Sequence, residues 1–202
     1  MKTRLVSKFL VVAAIALTGN AEASFHLFDI QEVFRNSDGS VLFIELFTAS
    51  GGQQFLSGHT LTFQINLAIQ NTLNLSQLPG DTTNKTFLVG TANLGTLYGV
   101  VPDFVIPANF FTAGANNFIE FGPSVDRVNL ALLPTDGISS LNGQIANSAE
   151  TSAATSINAK ATPTNFAGAT ATIPEPCGIF LILLTAGLTT LSRSRSEQLV
   201  AS

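Results

Sequence analysis

The feature that most limits what this chain can fold into lies near its carboxy terminus, where residues 173–196 read IPEPCGIFLILLTAGLTTLSRSRS. Pro174-Glu175-Pro176 breaks any helix locally, because each proline lacks an N–H and pushes the residue before it toward extended backbone. Gly178–Leu191 then carries no charged side chain, and Ile179 to Leu184 are all large and apolar. Arg193 and Arg195 close the run with positive charge, which resists translocation and acts as a stop-transfer signal. The run falls short of the ~20 apolar residues of a comfortable span, so a buried core helix is one reading. A soluble helix would carry a polar face, however, and here only threonines interrupt the apolar surface, with hydroxyls able to bond back to the backbone. A single membrane-spanning helix is therefore the expectation. Local bilayer thinning and arginine snorkelling accommodate its short length.

The opposite end has the three parts of a secretory signal peptide in Met1–Ala23. Lys2, Arg4 and Lys8 form a basic start, Phe9–Leu17 an apolar middle, and Ala21 and Ala23 place small residues at a cleavage site before Ser24. Basic residues held inside at both ends leave the middle of the chain outside. The expected organisation is a signal peptide over 1–23, one folded domain over 24–143, a linker over 144–172, the hydrophobic tail over 173–196 and a short extension over 197–202.

The order of Pro174-Glu175-Pro176, apolar run and terminal arginines resembles the PEP-CTERM sorting signal of Gram-negative bacteria. The resemblance implies that the tripeptide is recognised by an exosortase, a membrane-embedded, transpeptidase-like enzyme. It also implies that the protein is transiently anchored in the inner membrane before reaching the cell surface or the extracellular space.

Between the signals, ten acidic and four basic side chains leave a net charge of −6. No basic patch is available to neutralise phosphates, which argues against nucleic acid as a partner. The single cysteine, Cys177, belongs to the tail, so an exported domain must hold itself together by packing without disulfides. Sixteen phenylalanines against one tyrosine and no tryptophan is the usage of a core and not of a binding surface.

Within the folded part, Ser24–Phe34 reads as a strand with Phe28, Ile30 and Phe34 on one side at period two. Asn36-Ser37-Asp38-Gly39 is hairpin-turn chemistry, and Val41–Phe47 is a nearly all-apolar, central strand. Leu61, Phe63, Ile65, Leu67 and Ile69 alternate with polar residues, which predicts one half-buried strand with a wet face. Thr86–Thr91, Asn117–Gly122 and Arg127–Leu132 are further strands. A short helical turn is expected near Leu94–Leu97, with Phe104-Val105-Ile106 docking on the core. Short strands punctuated by Gly, Pro and Asn indicate an all-β, antiparallel sandwich. Asp29–Val33, Phe43–Leu46 and Leu56-Ser57-Gly58-His59-Thr60-Leu61 resemble the lamin-tail family, which implies an immunoglobulin-like version of that fold. Gln144–Thr172, rich in Ala, Thr, Ser, Asn and Gly, is expected to be a flexible stalk, although its alanines leave a helix through 145–161 open.

No catalytic or metal-binding residue is assigned, and no cofactor is expected. His26 and His59 are the only imidazole bases, without a G-x-S-x-G elbow or a helical histidine pair beside them. Glu45 and Glu120, each flanked by apolar residues, are candidates for a carboxylate pair. Asp81 and Asp136 are loop carboxylates that would share a calcium ion if their loops met at one end of the sandwich, although no Asp-x-Asp-x-Asp-Gly run accompanies them. The expected function is that of a non-enzymatic envelope or extracellular-matrix protein. The alternative is a carbohydrate-binding module retaining exopolysaccharide, against which the scarcity of Tyr and Trp counts.

Overall fold

A computed structural model describes residues 26–143, 156–158 and 160–174. The elements in chain order are β1 (Asp29–Arg35), β2 (Leu42–Thr48), β3 (Thr60–Ile65), β4 (Ala68–Asn74), β5 (Lys85–Gly90), α1 (Ala92–Tyr98), β6 (Phe104–Val105), β7 (Asn117–Phe121), β8 (Asp126–Asn129), β9 (Ser140–Asn142) and β10 (Ser156–Asn158). They form a six-stranded sheet in the order β10-β9-β1-β2-β5-β6 and a four-stranded sheet in the order β4-β3-β7-β8. Every pairing is antiparallel except β5 with β6, which α1 connects by a crossover. The expected all-β class therefore holds, with little helix. Among the described residues no helix is long and apolar enough to cross a membrane, and Gly178–Leu191 lies outside them.

The two sheets enclose one core. Ile30, Val33, Leu42, Ile44, Leu46, Phe87 and Val89 from the large sheet meet Leu61, Phe63, Ile119, Phe121 and Val128 from the small one. Phe28 fills the end of this layer, edge-on to Phe87 at 4.8 Å between ring centroids. Asp126 ties the sheets together, accepting the Ile30 N–H at 2.6 Å from across the sandwich and the Arg127 N–H at 2.7 Å.

β1 departs from simple alternation. The sequence predicts Phe28, Ile30 and Phe34 on one side, but the β1–β2 register shifts between Ile30 and Glu32. This bulge at Gln31 inserts one residue and reverses the phase of the rest of the strand. Ile30 and Val33 thus both enter the main core, while Phe34 points to the outer face. There it stacks on Phe43 at 5.3 Å.

The outer face of the large sheet is also covered. Phe34, Val41, Phe43 and Leu88 pack with Leu94 and Val100 from the α1 region and with Ala161 and Ile173 near the C-terminal end of the described chain. Gly90 lets α1 approach, since a Cβ there would crowd Leu94 and Pro102 at 3.2 Å. The expected stalk over 144–172 is accordingly corrected for its described parts. Ser156–Asn158 pairs with β9, and Lys160–Ile173 lies across the sheet as a hairpin, with Ala161 and Ile173 fully buried. Composition alone suggested too little apolar surface to fold; the segment docks because the sheet beneath supplies both an apolar face and acceptors for its N–H groups.

The predicted single strand through Ile69 is a hairpin instead. β3 and β4 are joined by Asn66-Leu67, both at positive φ (51° and 65°), as a two-residue type I′ turn requires. Leucine is an uncommon residue in that conformation, so periodicity ran on through the turn. Leu67 and Ile69, expected on the buried side, are 62% and 61% exposed. Thr62 and Gln64, expected to be wet, are buried; the Gln64 amide donates to Thr62 Oγ1 and to Glu120.

Leu67→Gly is expected to raise stability by about 1 kcal/mol, because the left-handed conformation strains a residue with a Cβ. A lowered urea midpoint would contradict the turn assignment. Ile173→Ala is expected to cost about 2–4 kcal/mol, the usual range for emptying a buried aliphatic site. Chemical denaturation checks this too, since a residue in a free stalk would leave the midpoint unchanged.

Candidate functional site

The bulge sets Glu32 directly opposite Glu45 on the neighbouring strand, both on the outer face. A carboxylate pair is therefore present, but the partner of Glu45 is Glu32 and not Glu120. Glu120 belongs to the other sheet, where it accepts from the Gln64 amide and from the Ser124 N–H at 2.8 Å. A local signal for Glu32 exists in the sequence: Gln31-Glu32 is a polar doublet between Ile30 and Val33, where strict alternation would place a single polar residue.

Both glutamates are almost fully buried, at 4% and 6% exposure, and the hairpin is what covers them. An extended chain turns alternate N–H groups to the same side, and the segment from Thr162 to Phe166 uses this period across the sheet. The Thr162 N–H donates to Glu32 Oε1 at 3.1 Å, the Thr164 N–H to Glu45 Oε2 at 2.6 Å, and the Phe166 N–H to Asp103 Oδ2 at 2.9 Å. Pro163, between the first two donors, has no N–H to satisfy. The other side of the hairpin closes on itself, with Ala171 N–H to the Pro163 carbonyl at 3.2 Å and Ile173 N–H to the Ala161 carbonyl at 2.9 Å. At its tip, the Asn165 amide donates to the Val101 carbonyl at 3.0 Å, and Lys85 lies over the Phe166 ring at 5.7 Å.

Burial pushes the Glu45 carboxyl up to about 7, opposed by the Thr164 N–H and reinforced by the negative charge of Glu32. Glu32 is also raised by burial, and the Ser140 hydroxyl and the Thr162 N–H act in the opposite direction. Asp103 is raised by burial against the N–H groups of Leu88 and Phe166. At the start of β1, burial and the neighbouring Asp126 lift Asp29 to about 6.

Between the hairpin and the sheet remains a basin of about 340 Å³. Its walls are the carboxylates of Glu32 and Glu45, the amides of Gln31, Asn142 and Asn158, and the hydroxyls of Thr162, Thr164 and Thr170. It is mostly polar, and among the described residues no lysine or arginine lines it. Such a wall combines acceptor-only carboxylates with amides and hydroxyls that both donate and accept.

The other candidates are dispersed. Gly137, beside Asp136, packs near Asn36 at the start of the β1–β2 turn, whereas Asp81 lies against Gly51 beyond the far end of β2. Asp81 and Asp136 thus sit at opposite ends of the sheet, and the shared calcium loop is not formed. Asp136 instead accepts the Ile138 and Ser139 N–H groups of its own turn, both at 2.8 Å. His26 and His59 come near one another, and the His59 imidazole is lowered by burial and by His26. Among the described residues no three His, Cys, Asp or Glu side chains converge to hold a metal ion. Of the tail residues Ile173 and Pro174 are described, the first buried and the second exposed. Glu175, Pro176, Arg193 and Arg195, like Ala21, Ala23 and Ser24, lie outside the described residues.

The fold and basin define a two-sheet β protein whose C-terminal hairpin is clasped by buried acids. Comparison with protein-family profiles, with curated proteins and with solved structures gives no match.

The raised carboxyls fix the sign of the pH dependence. Between the unfolded value near 4.5 and the folded value near 7, Glu45 binds more protons in the native state, so stability falls as pH rises through this window. Glu32, Asp29 and Asp103 act in the same direction. Glu45→Gln, which mimics the protonated form, is expected to flatten the profile, with little change at pH ~5 and a gain of up to about 3 kcal/mol at pH ~8. Urea unfolding across this range checks it; a wild-type stability that climbs from pH ~5 to ~8 would refute the assignment.

Proposed function

We propose that the protein is a non-enzymatic component of the cell envelope or extracellular matrix, exported through the inner membrane and sorted by an exosortase through its C-terminal signal. In this reading Pro174, Glu175 and Pro176 are the recognition element, residues 178–191 form a single transient transmembrane helix, and Arg193 and Arg195 stop translocation. The body is a lamin-tail-like, immunoglobulin-like sandwich; in support, the resembling stretches fall in order on β1, on β2 and at the approach to β3. The observation that carries the reading is the order of rigid tripeptide, uncharged run and terminal arginines. It is supported by the last two described residues. Ile173 is buried and Pro174 exposed, so the tripeptide begins at the surface, where a membrane enzyme can reach it.

A second reading, a surface carbohydrate-binding module, is favoured by one observation: the basin beside Glu32 and Glu45 is lined by groups that match sugar hydroxyls.

Replacing Pro174, Glu175 and Pro176 by alanines is expected to leave the sandwich folded and the tail unprocessed, so that the precursor accumulates in the membrane fraction. Mass spectrometry of the C-terminal peptide reads this out. Identical processing of wild type and variant would exclude recognition of the tripeptide.

A further inference from the structure

We infer that the basin between the large sheet and the C-terminal hairpin binds one uncharged sugar residue, gripped through its hydroxyl groups by Glu45, Gln31, Asn142 and Asn158. The inference rests on the carbohydrate reading above and gives it a place and a ligand class.

At about 340 Å³ the basin is at the small end of ligand-sized clefts, which span roughly 300–1,000 Å³. A sugar hydroxyl donates one hydrogen bond and accepts others, so its site must offer both kinds of partner. Carboxylates supply strong acceptors, and side-chain amides and threonine hydroxyls supply donors as well. Glu45 accepts the Thr164 N–H at Oε2 and also meets the Thr164 side chain, and the remaining lone pairs of its carboxyl group are what it offers a ligand. The side-chain amides of Gln31 and Asn142 are unengaged among the described residues, while Asn158 donates to Ser140 Oγ and keeps its carbonyl for a ligand.

Charge selects the class further. With no lysine or arginine among the described residues of its wall, the basin offers carboxylated, sulfated or phosphorylated sugars no counter-charge, and its acidic side chains disfavour them. A calcium ion would want six to eight oxygens, and among the described residues only two carboxylates line this space, with no third acidic side chain converging on it. With no aromatic ring among the described residues of the wall, recognition comes from hydrogen bonds without stacking, and a single sugar is held only at about millimolar Kd. Many copies displayed against a repeating polysaccharide would gain retention through multivalency.

The test uses the purified full-length protein, titrated with neutral mono- and disaccharides, with glucuronate and with calcium chloride, and followed by calorimetry and saturation-transfer NMR. A neutral sugar is expected to bind, with Gln31→Ala and Asn142→Ala each weakening it about tenfold at unchanged thermal midpoint. Glucuronate and calcium are expected not to bind there. Neutral-sugar binding that ignores both substitutions would remove the basin from the account while leaving a carbohydrate-binding protein. No neutral-sugar binding at all would remove both. Glucuronate or calcium binding that either substitution abolishes would overturn the ligand class.

Discussion

The bulge at Gln31 is the constraint on which the large sheet depends. Without the inserted residue, Glu32 would face Ile44 and enter the main core, where an isolated carboxylate costs several kcal/mol. With it, Val33 takes the inward position, Glu32 comes to lie opposite Glu45, and Phe34 is handed to the outer face to stack on Phe43. One irregularity therefore produces three results: an apolar interior, an acidic pair on the outer face, and an apolar patch beside that pair which must itself be covered.

The hairpin of residues 160–173 is the cover, and the two sides are reciprocal. Its composition is poor in large apolar residues, yet Ala161, Pro163, Phe166 and Ile173 are buried. Its N–H groups at 162, 164 and 166 would lose water on docking. Glu32, Glu45 and Asp103 accept them, through hydrogen bonds that a carboxylate makes stronger than a neutral acceptor would. The acids in turn are too buried to be well solvated, which raises their pKa values. Neither part is satisfied without the other, and the space left at their seam is polar for the same reason.

This arrangement buries Ile173, directly before the proline-bounded tripeptide. If the tail is a sorting signal, the domain reaches it without an intervening stalk over 160–173. The basin shares walls with that same hairpin, so its occupancy and the docking of the C-terminal segment are physically linked.

Local chemistry made much of the body readable. Asp38-Gly39 specified its turn, the apolar run of β2 specified a central strand, and the helical turn and the docking of Ile106 followed from short-range pattern. Three features were hidden because they depend on contacts far apart in the chain. Asn66-Leu67 carries no glycine to announce a reversal; Glu32 meets Glu45 only once two strands are in register; and a threonine-rich segment looks unable to fold until a sheet offers it carboxylates. The sequence by itself determined the all-β class and most strand positions, since periodicity acts over a few residues. Only the tertiary structure decided that residues 160–173 dock on the sheet and which acids share a site, because strand register and hydrogen-bond partners are properties of the assembled sheets.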